Sequence, residues 1–84
     1  MSADTANQIL KILHENYAIT GDAESKNLLE KYRFNSVDAL DFLLRVESAF
    51  GIMIPDDRLS SALLADEDEL VTFVDTLRAE QGSI

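Results

Sequence analysis

Few side chains in this sequence could do chemistry. There is no cysteine, so a thiolate nucleophile, a Cys-ligated zinc and a disulfide scaffold are excluded together. The one imidazole, His14, stands far in sequence from Ser36. Nucleophilic catalysis needs a base beside its nucleophile, so His14 reads as a surface or packed residue. Carboxylates cluster at Asp56-Asp57 and Asp66-Glu67-Asp68-Glu69. Neither run has the alternating ligands, turn glycine and closing glutamate of a calcium loop. Helix capping and favourable charge at helix N-termini account for them, and no metal site is expected.

The remaining candidate is Asn35-Ser36-Val37-Asp38. If Asn35 caps the helix that follows, Ser36 takes the first helical position and its hydroxyl is free to face solvent. A phosphodiester on that hydroxyl would meet the positive end of the helix dipole. If Ser36 is itself the cap, its hydroxyl is spent. The tetrapeptide alone leaves both readings open.

The elements that must position this serine are helical. From about Asp4 or Thr5, either of which can cap a helix, Ala6, Ile9, Leu10, Leu13 and Tyr17 recur at three- and four-residue spacing. That predicts a first helix ending before Gly21. A long connection over about 18–35 carries Leu28, Leu29, Tyr32 and Phe34, which pin it to the core. A helix over about Ser36 to Phe50 follows. Its apolar residues Val37, Ala39, Leu40, Phe42, Leu43, Leu44, Val46, Ala49 and Phe50 span roughly 240° at ~100° per residue. An amphipathic helix needs little more than about 100°. This one is therefore central to the bundle, or carries an added apolar edge, or both. Gly51 can end it in the left-handed region, and Ile52-Met53-Ile54 before Pro55 reads as extended. Asp56 can cap a short third helix over about 57–63 with Leu59, Ala62 and Leu63 inward. Asp66 with Glu69 resembles a capping box opening a last helix on Leu70, Phe73, Val74 and Leu77. The expected fold is all-α: a small four-helix bundle with a long loop between its first two helices and a short third one.

Composition narrows the partners. Eighty-four residues, 46% of them hydrophobic, allow one modest core, so residues 1–84 are expected to form a single domain. Seven Lys and Arg against sixteen Asp and Glu give a formal charge of −9. That repels nucleic acid and anionic membrane surfaces and favours basic protein partners. The start, Met1-Ser2-Ala3-Asp4, lacks a basic-then-apolar leader, and no apolar run approaches bilayer length. A cytoplasmic monomer, not bound to membrane or nucleic acid, is the expectation.

The stretch from Phe34 to Asp56 resembles the acyl carrier protein family. A serine opens the helix, acids stud it, Glu47-Ser48-Ala49-Phe50 closes it, and Ile54-Pro55-Asp56 follows a short apolar link. The resemblance implies an acyl-carrier-type bundle that is not itself an enzyme. Ser36 would accept 4'-phosphopantetheine from a phosphopantetheinyl transferase, and acyl, aminoacyl or related cargo would ride on the arm as a thioester. It further implies that Asp38, Asp41, Glu47, Asp56 and Asp57 meet basic docking surfaces on the loading and transferring enzymes. Val37 and Leu44 are candidates for an apolar edge beside the arm, with core packing the alternative. The family usually has Gly-x-Asp-Ser-Leu where this chain has Arg33-Phe34-Asn35-Ser36-Val37. That departure points to a specialised carrier more than to the main carrier of fatty acid synthesis. The competing expectation is an acidic helical protein–protein interaction module that is never modified.

Overall fold

The computed structural model describes residues 3–81. Four α-helices, α1 (Ala3–Asn16), α2 (Leu28–Lys31), α3 (Ser36–Phe50) and α4 (Glu67–Gln81), form the fold. Two 3-10 turns, Asp56–Arg58 and Ser61–Leu64, lie between α3 and α4. The expected all-α bundle is the fold observed.

In α1, Thr5, Ile9 and Leu13 recur every four residues and are fully buried. The helix starts at Ala3, so neither Asp4 nor Thr5 caps it. Thr5 instead donates to Asp75 Oδ1 of α4 at 2.7 Å and accepts from Arg78 at 2.9 Å. Arg78 also reaches Asp4 at 3.2 Å and covers the Phe50 ring. This polar clasp joins α1 to α4 and satisfies the buried Thr5 hydroxyl.

The long connection is pinned as expected, with Leu28 and Tyr32 buried and Leu29 and Phe34 half-buried. Asn27 caps the single-turn α2 by accepting from the Leu29 N–H. Gly21 donates to Lys31 O at 3.0 Å, and a Cβ there would stand 1.8 Å from Glu30 O. Only glycine permits that approach. After α2 the chain turns through Arg33, whose φ of 54° is left-handed, and the Phe34 N–H closes back on Leu29 O. That is the ending usually given to glycine. Phe34 then stacks on Tyr32 and meets the edge of Tyr17.

The bounds of α3 are those read from sequence. Ala39, Phe42, Leu43 and Val46 fill the core, and Gly51 ends the helix at φ 66°. In the link that follows, Ile52 and Ile54 are buried and Met53 faces out. The Ile54 N–H donates to Glu47 Oε2 at 2.6 Å, while the Gln81 amide pairs with both Met53 N–H and Met53 C=O.

The short third helical element is split in two. Asp56 caps nothing, and extended Ser60 (φ −146°, ψ 163°) interrupts the helical path. Ala62 is exposed, and Leu64 takes the inward place beside Leu63. In α4, Asp66 accepts from the Asp68 and Glu69 N–H groups, and Leu70, Val71, Val74 and Leu77 are buried. Phe73 is half-buried beneath the Arg58 guanidinium.

Candidate functional site

The start of α3 decides between the two readings of Asn35-Ser36. The Asn35 side chain accepts from the Asp38 N–H at 2.8 Å, and the Asp38 carboxylate accepts from the Asn35 N–H at 3.3 Å. This reciprocal capping box satisfies donors that a helix start leaves open. Ser36 is thereby relieved of capping. It is the first helical residue, is exposed, and its hydroxyl has no hydrogen-bond partner.

Beside it runs an apolar stripe. Val37 is 74% exposed, Leu40 43% and Leu44 48%. At ~100° per residue, Leu40 and Leu44 project within about 80° of Ser36, and Val37 about 100° from it. The wide apolar arc of α3 therefore serves two purposes: one side fills the core and the other stays in solvent. Val37 and Leu44 are not core residues. Leu40, which sequence reasoning assigned to no site, belongs with them.

The acids are less free than their number suggests. Asp38 is half-buried in the capping box. Asp41 accepts from the Tyr17 hydroxyl at 2.5 Å and from Arg45 Nε at 3.0 Å. Those donors hold its carboxyl below the usual range, the Tyr17 bond contributing most. Burial, and then the bond to Asp41, push Tyr17 up to about 12. Glu47 is half-buried and turned to the link. By contrast Asp56 and Asp57 are exposed at the first 3-10 turn and their side chains have no partner. His14 is exposed in the last turn of α1. A groove of about 660 Å³ lies between the 3-10 turns and α4, walled by Asp57, Arg58, Leu63 and Phe73 among others. Neither Ser36 nor the apolar stripe borders it.

Fold and site together define a small helical bundle that presents one unengaged serine at a helix start. No family model and no solved structure matches the chain significantly. Curated proteins do match, two acyl carrier proteins among them. An acyl carrier protein of Zymomonas mobilis is 28% identical over 79 residues, 92% of this chain and 99% of the relative. An acyl carrier protein of Lactobacillus acidophilus is 32% identical over 53 residues, 61% of this chain and 66% of the relative. Both relatives support assigning the chain to the acyl carrier protein family. Its general role is that of a carrier, and it is not an enzyme.

Proposed function

We propose that this chain carries acyl, aminoacyl or related intermediates on a 4'-phosphopantetheine arm attached to Ser36, as a specialised carrier. The observation that carries the reading is the Ser36 hydroxyl: exposed, at the first position of α3, and left without a partner because Asn35 does the capping. These features fit the group. The arm supplies a terminal thiol on which cargo is held as a thioester, the chemistry that a chain without cysteine lacks.

In the modification Ser36 Oγ gives its proton to a base of the transferase and takes the phosphopantetheinyl phosphoryl from coenzyme A. The diphosphate bond breaks and adenosine 3',5'-bisphosphate leaves. Among the described residues no base adjoins Ser36 in the chain, since His14 is on α1 and Asp38 is engaged in the cap. The N-terminal amides of α3 favour the phosphodiester once it is in place.

For partner enzymes, Val37, Leu40 and Leu44 offer apolar contact next to the arm, and Asp56 and Asp57 offer unpaired charge for basic residues. Asp41 meets a partner only with Arg45 beside it, while Asp38 and Glu47 shape the helix and the link more than they face outward. Replacement of the usual Gly and Asp by Arg33 and Asn35 supports dedicated partners. A cytoplasmic location fits a chain in which no described helix is long and apolar enough to cross a membrane.

The test is intact mass before and after incubation with coenzyme A and a broad-specificity phosphopantetheinyl transferase. The expected result is a gain of one phosphopantetheinyl group, absent in Ser36→Ala. A folded wild-type protein that gains nothing, from this transferase and from one encoded by its own organism, favours the unmodified interaction module.

A further inference from the structure

Arg33 is the one described non-glycine residue held at positive φ, at 54°. A side chain in that region costs energy that glycine does not. Its neighbourhood offers nothing in return. The side chain is exposed, its stem passes beside Gly21, and its guanidinium has no partner. Among the described residues the other cations are mostly engaged. Lys26, Lys31, Arg45 and Arg78 pair with carboxylates, and Arg58 lies over Phe73, which leaves Lys11 and Arg33.

Of those two, Arg33 precedes Ser36 by three residues, so their Cα atoms lie within about 11 Å. Residue 35 brings no negative charge, and the Asp38 carboxylate is committed to the Asn35 N–H. A protein of charge −9 repels an incoming phosphate donor over most of its surface. Near Ser36 in the chain, Arg33 supplies a positive charge that no described carboxylate pairs.

We propose that Arg33 is a specificity-determining residue of the Ser36 site, its guanidinium pairing with phosphate oxygens brought to that serine. This rests on the carrier reading above. The shared chemistry is a phosphate oxyanion, either in the diphosphate of the donor or in the phosphodiester left on Ser36. A guanidinium forms charge-assisted hydrogen bonds to such oxygens. The strain at residue 33 is thus retained for the charge it places, and stability and loading should respond to its removal in opposite directions.

The experiment compares wild type, R33G and R33K as unmodified proteins, measuring melting temperature and the kcat/KM of loading by the transferase at low and moderate salt. R33G is expected to melt at the same or a higher temperature, by up to about 5 °C. Its kcat/KM is expected to fall by about five- to tenfold at low salt, the scale of one charge-assisted contact. The deficit should shrink as salt rises, because screening removes what the charge supplies. R33K should keep most of the wild-type rate. In the loaded proteins, a phosphorus resonance that differs between wild type and R33G assigns the contact to the attached phosphodiester. An unchanged resonance with slowed loading assigns it to the donor.

R33G loading within twofold of wild type, R33K as slow as R33G, or R33G melting well below wild type would each overturn the proposal. A wild-type protein that never loads would instead remove the carrier reading itself, so the two failures are distinguishable.

Discussion

At the scale of single residues, the site depends on a division of labour between neighbours. Asn35 caps and Ser36 is left over. Asn35→Ala should cost about 1 kcal/mol of stability by opening the first turn, whereas Asn35→Asp, an equally good cap, should be nearly neutral. Urea denaturation of the two variants checks this, and an Asn35→Ala midpoint equal to wild type would contradict it. Tyrosine titration gives a second residue-scale expectation. Tyr17 is held neutral up to about 12 instead of 10.0, and Tyr32 is raised as well, by burial and then by Glu67. A raised folded pKa stabilises the native state fully below the unfolded value, and that contribution is lost as pH climbs from near 10 through about 12. Asp41 has the opposite sign. Its lowered carboxyl stabilises above the ordinary 3.8 and stops doing so as pH falls through the folded value. An ultraviolet titration should find both phenols ionising later in the native protein than in the urea-unfolded chain. Ionisation near pH 10 in the native protein would show that the Tyr17–Asp41 bond does not persist in solution.

At the scale of elements, the parts legible in the sequence are those fixed by neighbours in the chain. The α3 bounds follow from Asn35, the apolar period and Gly51, all local signals. Thr5 misled because serine, threonine and aspartate are cap formers, while its actual partners are Asp75 and Arg78, about seventy residues away. The third helix misled in the same way: the inward pattern of Leu59, Ala62 and Leu63 ignored extended Ser60, which re-aims the chain and makes Leu63 and Leu64 the buried pair. At the candidate site, the exposed first position of Ser36 in α3 was legible from Asn35 before it. The diversion of Asp41 and Glu47 was not, since Tyr17 and the Ile54 N–H reach them through the fold. The clasp yields its own prediction. Thr5→Val keeps the volume but leaves the Asp75 carboxylate and the Arg78 guanidinium one partner short, which should cost about 1–3 kcal/mol. Denaturant unfolding measures it, and a loss well under 0.5 kcal/mol would mean that water replaces the hydroxyl.

At the scale of the whole molecule, charge is the dominant feature. A formal −9 on 84 residues, with four of the seven cations already paired, leaves net self-repulsion in the folded state. The exposed ion pairs that salt would weaken contribute little. Raising ionic strength from about 0.01 to 0.15 M shortens the screening length from about 30 to 8 Å, so the melting temperature should rise by a few degrees. A calorimetric scan that shows it falling would mean that the ion pairs outweigh the repulsion. The same distribution leaves the exposed apolar stripe and Arg33 near Ser36 in the chain, and the unpaired acids Asp56 and Asp57 on the first 3-10 turn.

The Gln81 amide, in the last described turn of α4, pairs with both backbone groups of Met53 much as a neighbouring strand would. The two residues flanking Met53 are packed in the core, and this single side chain adds a latch to a segment whose other hydrogen bonds go to Glu47. Any shortening of this chain that removes Gln81 therefore removes both bonds to Met53. A shorter version could keep its helices and its serine yet let the joint after α3 swing, turning a fixed corner of the molecule into a hinge.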